Sequence, residues 1–190
     1  MQLDVLHLIY GAWIAFGVIW LLGAGFTKQT ARVQSDLSRF LQGGLAASGF
    51  VVLFDRQIPL GILDARFVSG SAASGWIGFT ITLAGVSIAI WARFILGRNW
   101  SATITIKQGH EIVRRGPYRI VRHPIYFGTT LAMLGTAIYF GTFRGLLAVA
   151  LTFAGWWFKS RMEEEFMLQQ FGPRYREYQR DVKALIPFVL

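Results

Sequence analysis

Residues 5–26 carry no Asp, Glu, Lys or Arg. As a helix, a run of that length rises about 33 Å at ~1.5 Å per residue, enough to cross the hydrocarbon core of a bilayer. In lipid the backbone must satisfy its own hydrogen bonds, so an isolated apolar run of this kind is committed to helix. The rest of the chain agrees. Its 190 residues make about one domain, 54% are hydrophobic and only 15% charged, where a soluble domain carries roughly 25% charged residues. That deficit makes an ordinary water-soluble globule a poor fit. The start, Met1-Gln2-Leu3-Asp4, has neither a basic n-region nor a small-residue cleavage site. The first run is therefore read as a retained span rather than a signal peptide. Cysteine is absent, which excludes disulfides, thiolate metal sites and cysteine nucleophiles.

Four further apolar runs follow, at 40–58, 76–96, 124–140 and 146–158. The expected fold class is all-α integral membrane, with five transmembrane helices, a three-helix N-terminal region (1–96) and a second region (97–190). The last run is short and continues in pattern as a charged helix, interrupted at Gly172-Pro173. The net charge of +9 would raise nucleic acid as a partner in a soluble protein. Here the basic residues read as topology determinants and contacts for anionic headgroups, with no nucleic acid implied. With the N-terminus outside, 16 Lys and Arg fall on the inner side and three (Arg56, Arg66, Arg144) on the outer. That asymmetry places the long 97–122 loop and the tail in the cytoplasm. Small residues recur four apart at Gly43/Ala47, Gly85/Ala89 and Gly128/Ala132, a spacing that lets helix backbones approach closely.

Two polar clusters stand out at the cytoplasmic side. One is the stretch from His110 through Gly116-Pro117-Tyr118 to Arg122-His123-Pro124-Ile125-Tyr126. Pro124 suits the first turn of a helix, where its missing N–H costs nothing. The free N–H groups of that turn suit an anion. The other is Lys159 to Glu165, in which Arg161 and Glu164 are three apart and share a helical face. The short turn Gly141 to Gly145 makes a hairpin of the fourth and fifth helices, so the two clusters converge. Each alone has a plain reading: a basic loop sets topology, a run of Glu is a solvated face, a lone His is structural.

Together these residues resemble the isoprenylcysteine carboxyl methyltransferase family. The likeness rests on Gly97-Arg98-Asn99-Trp100-Ser101, common in prokaryotic members, and on His110-Glu111-Ile112-Val113. It continues in Gly116-Pro117-Tyr118 with Arg122-His123-Pro124-Ile125-Tyr126-Phe127-Gly128. In the tail it rests on Arg161, Glu164-Glu165, Leu168, Phe171-Gly172, Tyr175 and Tyr178, with Pro187 beyond. The resemblance implies an integral-membrane enzyme that takes S-adenosyl-L-methionine as methyl donor, in a cytoplasmic pocket made by the loop before the fourth helix and the end of the fifth. It assigns His110, Glu111, Ile112, Val113, Tyr118, His123, Pro124, Ile125, Tyr126 and Glu164 to the cofactor. Arg161 and Glu164 take the catalytic roles, Arg161 toward the methyl acceptor, with Lys159, Glu163 and Glu165 as rivals in register. No metal is implied. The acceptor it implies is an isoprenylcysteine or similar lipid carboxylate, reached from the membrane.

The chemistry suits that assignment. A carboxylate is already ionised at neutral pH, so its methylation needs alignment and exclusion of water rather than a base. Aromatic faces such as Tyr126 favour a sulfonium. Two enzymatic readings compete. Phospholipid N-methylation shares the motif but needs a base, for which Glu163, Glu165 or His110 are candidates. Sterol-type reductases, which use NADPH, have a similar Arg-His-Pro block. A non-catalytic membrane scaffold is the remaining alternative.

Overall fold

The structure is a computed structural model that describes residues 4–24, 30–33, 36–97, 105–107 and 112–190, with side chains at 4–23, 43–97 and 112–190. Its elements are α1 (Val5–Ala24), β1 (Thr30–Val33), α2 (Asp36–Phe54), a 3-10 turn (Gly61–Asp64), α3 (Ala72–Leu96), β2 (Thr105–Lys107), a second 3-10 turn (Gly116–Arg119), α4 (Pro124–Phe140), α5 (Phe143–Phe171) and α6 (Pro173–Asp181). The architecture is helical as the sequence implies. The small addition is an antiparallel ribbon in which β1 pairs with β2, Thr30 opposite Lys107 and Val33 opposite Thr105.

Local chemistry sets the boundaries. α3 starts at Ala72, four residues before Trp76, because the side chain of its cap Ser71 accepts from the Ser74 N–H at 3.1 Å while the Ser74 hydroxyl accepts from the Ser71 N–H at 3.1 Å. The Gly/Ser stretch ahead of the apolar run thus supplies a helix cap. Pro124 opens α4 at its first position, and Gly141, with φ of +65°, closes it. Gly172 (φ +50°) ends α5, and Pro173 begins α6.

Three pairings fix the order of the helices. The ribbon joins the α1–α2 and α3–α4 connections at one end. At the other end Arg66 bridges to Thr142, and the Phe67 and Phe143 N–H groups donate to the Gly141 and Ala65 carbonyls. Val121 pairs with Lys183, returning the tail to the first end. The five long helices therefore run alternately up and down.

Packing relies on small residues. On α3, Gly78 and Gly85 face Gly135 and Gly128 of α4, and a Cβ on Gly135 would lie 2.4 Å from the Thr82 nitrogen. Of the small-residue pairs read from the sequence, Gly85/Ala89 and Gly128/Ala132 meet each other, whereas a Cβ on Gly43 would meet nothing within 4 Å among the described residues. The α2–α5 contact uses Gly49 against Ala148 and Thr152, and Ala46 against Gly155. A polar node ties α1 to this core: Trp13 Nε1 donates to Thr136 Oγ1 at 3.0 Å, and Thr136 Oγ1 lies 3.1 Å from Thr82 Oγ1.

The outside is apolar. Ile14, Leu21 and Leu22 of α1 and Trp76, Ile77 and Phe94 of α3 are exposed, a display that water does not tolerate over a large patch. Two helices among the described residues are long and apolar enough to cross a membrane, Val5–Gly23 and Ala72–Leu96. The apolar parts of α2 and α4, Gly43–Phe54 and Pro124–Phe140, are shorter. α4 packs on both α3 and α5 and buries most of its first ten residues. Two arginines counted as topology charges are structural. Arg93 is buried and donates to the Gly23 and Gly97 carbonyls at 2.6 and 2.9 Å. Arg144 is buried against Asp64, Nε to Oδ1 at 3.1 Å, and donates to the Ile58 carbonyl.

Candidate active site

The open end of the α4–α5 hairpin, opposite the Gly141 turn, carries a buried polar network. Arg122, directly before α4, donates from Nε and Nη2 to Glu164 Oε1 at 2.8 and 2.6 Å. Its Nη1 donates to the Gln179 carbonyl and to that of Val182. The other carboxylate oxygen, Glu164 Oε2, accepts from Gln179 Nε2 at 2.9 Å. His123 Nε2 lies 3.2 Å from Glu164 Oε1, and His123 Nδ1 lies 3.4 Å from Glu163 Oε2. Tyr126 donates its hydroxyl to Glu163 Oε1 at 2.6 Å. One imidazole thus sits between two carboxylates from consecutive residues of α5.

The backbone holds this arrangement in place. The Arg122 and His123 N–H groups donate to the Lys183 and Ala184 carbonyls at 2.8 and 3.0 Å. The strap after α6 therefore lies against the start of α4. Beneath it Tyr118, Ile125, Tyr126, Ala184 and Leu185 form a buried cluster with Ala92 of α3.

Against the polar network stands an aromatic ladder. His123 stacks on Tyr126 with centroids 5.5 Å apart and planes 8° from parallel, and Tyr126 stacks on Trp156 at 4.7 Å and 6°. The Lys159 ammonium lies 5.6 Å from the centroids of both Tyr126 and Trp156, a favourable place for a cation. Trp156 Nε1 is buried and meets no acceptor among the described residues.

Electrostatics reinforce the geometry. Burial disfavours a charged imidazole, but the hydrogen bonds and charges of Glu163 and Glu164 outweigh it and raise the His123 pKa. Burial likewise favours a neutral Glu164, yet His123 and Arg122 bring its pKa down to about 2. Glu163 is also lowered: against burial act the His123 hydrogen bond, the charges of Lys159 and His123, and the Tyr126 hydroxyl.

The structure brings together many of the residues picked from the sequence. His123, Tyr126 and Glu164 share the network, and Pro124 and Ile125 form the first turn beneath it. Tyr118 is in the buried cluster with Val113 at its margin. Ile112 packs against the neighbouring cluster of Tyr175, Tyr178 and Val182. Arg161 is exposed on α5, its guanidinium 5.6 Å from the Trp157 ring, apart from the His123 network. His110 and Glu111 lie outside the described residues. The sequence reading left Arg122, Trp156 and Gln179 without a site role. Trp156, Lys159 and Glu163 fall at i, i+3 and i+7, one stripe of α5, a signal that marks Trp156. Arg122 stands inside the Arg-His-Pro motif. Nothing local marks Gln179.

Fold and site together define a bundle of alternating helices with lipid-type outer faces and a charged, aromatic-walled site at one end of a hairpin. Residues 73–174 match the family model described as phospholipid methyltransferase. A probable protein-S-isoprenylcysteine O-methyltransferase of Oryza sativa subsp. indica is 32% identical over 117 residues, covering 60% of this chain and 61% of that protein. Protein-S-isoprenylcysteine O-methyltransferase B of Arabidopsis thaliana is 31% identical over 136 residues, covering 67% of this chain and 68% of that protein. The solved structure of a eukaryotic intramembrane Ras methyltransferase, an isoprenylcysteine carboxyl methyltransferase, shares the fold. Its TM-score is 0.51 at 22% identity, over 92% of this chain and 74% of that one. The chain belongs to the phospholipid and isoprenylcysteine carboxyl methyltransferase family. It spans about three fifths of the length of the rice relative it matches.

Proposed function

We propose that this protein is an integral-membrane, S-adenosyl-L-methionine-dependent methyltransferase that methylates the carboxylate of an isoprenylcysteine or similar lipid acid. In this reading all five long helices cross the bilayer, the N-terminus lies outside, and the site faces the cytoplasm. The observation that carries it is the convergence of His123, Tyr126, Glu163 and Glu164 at the open end of the hairpin, in a chain of this family. The relatives named for isoprenylcysteine O-methylation support the acceptor class.

The residues present fit the cofactor. A purine is flat and suits the parallel His123–Tyr126–Trp156 ladder. The buried Trp156 Nε1 offers a donor that meets no acceptor among the described residues. A sulfonium suits an aromatic face of this ladder with the Glu163 carboxylate nearby, which also balances the charge of Lys159. His123, Pro124, Ile125 and Tyr126, with Tyr118, Ile112 and Val113, would hold the group. When bound it supplies an activated methyl.

The chain's own residues do the rest. Glu164 is saturated by Arg122, His123 and Gln179, so it fixes α6 and the strap over the site. Glu163 is the more open of the two carboxylates and would hold the cationic end of the cofactor. Arg161, exposed at the bundle edge, meets the acceptor carboxylate with a two-pronged contact. The acceptor needs no base, so these residues act by alignment and by keeping water out.

The description of the matching family model supports one second reading, methylation of a phospholipid amine. That acceptor must lose a proton, and Glu163 is the partly exposed carboxylate available to take it. The deciding experiment is methyl transfer from labelled S-adenosyl-L-methionine to an isoprenyl-cysteine, a lipid carboxylate and an amino phospholipid. The expected product is a base-labile ester on the first or second. Label on the amine alone would overturn the carboxylate reading.

A further inference from the structure

Beyond the strap that covers His123, the chain makes a compact turn of pronounced apolar exposure. The Leu185 and Ile186 N–H groups donate to the Leu190 carbonyl at 2.7 and 2.8 Å, and the Val189 and Leu190 N–H groups donate back to the Ile186 carbonyl at 3.1 and 3.0 Å. Residues 185–190 are therefore a closed hook. Leu185, at its root, is 2% exposed; Phe188 is 84% and Val189 72% exposed, with Ile186 and Leu190 exposed as well. Phe188 has φ of +65°, a left-handed conformation that bulky residues rarely adopt. The turn holds that conformation and turns a phenyl ring outward rather than into the core.

The root tells where the hook emerges. Leu185 packs in the cluster that contains Ala92, with Ile95 and Leu96 at its margin, and these form the last turns of α3. On the same stretch of α3, Trp91 and Phe94 are exposed, continuing the lipid-type face of the bundle to its end. Lys183 precedes the hook and is exposed, as is Arg119, two residues before the Val121–Lys183 bridge. An apolar tip flanked by cations, at the end of an apolar helix face, suits the boundary between acyl chains and anionic headgroups.

We infer that residues 186–190 insert into the headgroup–acyl boundary of the leaflet on the site's side, anchoring to lipid the strap that covers His123. The inference rests on the reading of α1 and α3 as lipid-facing spans. Its occupant is the bilayer surface, not a second protein. The consequence is local: the strap's Lys183 and Ala184 carbonyls accept from the Arg122 and His123 N–H groups, so lipid contact at the hook holds the cover on the network.

The chain has no cysteine, which makes the test clean. Single variants Phe188→Cys and Val189→Cys carry a nitroxide, with Leu83→Cys, exposed on α3, as the acyl reference. Glu177→Cys, exposed on α6, is the aqueous reference. The full chain is placed in nanodiscs of phosphatidylcholine and phosphatidylglycerol, and collision rates with oxygen and with a water-soluble nickel chelate are measured. The expected result is an oxygen-to-nickel ratio at 188 and 189 several-fold above that at 177 and below that at 83. Ratios at 188 and 189 equal to that at 177, with 83 still reading as acyl, would overturn the hook while leaving the spans intact. If 83 also reads as aqueous, the span reading itself fails and the hook falls with it. Spin–spin broadening at 188 that disappears on dilution with unlabelled protein would show a second copy on this face and overturn the lipid assignment.

Discussion

Removing the Arg122 guanidinium would strand the Glu164 carboxylate, 5% exposed at its side chain, with only His123 and Gln179 to compensate it. Breaking a buried ion pair from one side costs about 3–5 kcal/mol. Arg122→Ala is therefore expected to lower the melting temperature in detergent by many degrees, and Arg122→Lys to recover only part, since one ammonium cannot copy the fork. Arg161→Ala has the opposite profile. Its side chain is exposed, so stability should hold while methyl transfer falls by an order of magnitude or more, with cofactor binding by calorimetry little changed. Normal turnover in that variant would remove Arg161 from the acceptor site. The pH response follows from the imidazole. His123 has a folded pKa above its ordinary value, so its contribution is complete below about 6.5. That contribution is lost as pH rises through the elevated folded value. Glu164, brought to about 2, contributes above its ordinary range and is lost only as pH falls toward 2. Thermal stability should thus decline as pH rises above about 6.5 toward the raised folded value, and His123→Asn should flatten that decline. An unchanged slope in the variant would show that another group titrates.

The elements were legible wherever local chemistry and lipid both constrain them. The start of α4 at Pro124, its end before Gly141 and the break at Gly172-Pro173 stand as the sequence implies. α2 did not: it begins at Asp36 and stops at Phe54, because polar residues extend a helix at its solvated end and apolar ones need not prolong it. The site divides the same way. His123, Tyr126 and Glu164 were readable because motif and hairpin bring them together. Gln179 was not, because it reaches Glu164 only once Gly172 folds α6 back along α5. The small-residue spacing was readable but not its partners, and that gives a contrast between two helix-interior glycines. A Cβ on Gly135 would meet the Thr82 nitrogen at 2.4 Å and the Gly78 carbonyl at 2.6 Å, while one on Gly11 would meet nothing within 4 Å among the described residues. Gly135→Ala must push α3 from α4 and should cost well over the ~1 kcal/mol that alanine gains in a helix interior. Gly11→Ala should keep that gain. Melting temperatures moving down for the first and level or up for the second check the argument; equal shifts would mean the α3–α4 contact is looser than drawn.

At the scale of the molecule, two independent lines bear on which connections share a side. The charge count puts 16 basic residues on one side and three on the other. The three pairings group the ribbon and the tail at one end, and the Arg66–Thr142 bridge at the other. The first line comes from the insertion preference of lysine and arginine in short loops, the second from backbone hydrogen bonds, yet both divide the connections the same way. Arg93 and Arg144 weaken the first line slightly, since each is buried in a structural role, but they fall on opposite sides and nearly cancel. The remaining excess is still strongly one-sided. The chain without cysteine again allows a direct check, using Gln57→Cys in the α2–α3 connection and Glu177→Cys on α6, both exposed. In intact cells a membrane-impermeant maleimide is expected to label position 57, and to label 177 only after permeabilisation. The reverse pattern would invert the orientation and put the site outside the cytoplasm. Labelling of both positions before permeabilisation would mean that the chain between them crosses an even number of times, so that α3, α4 and α5 could not all span.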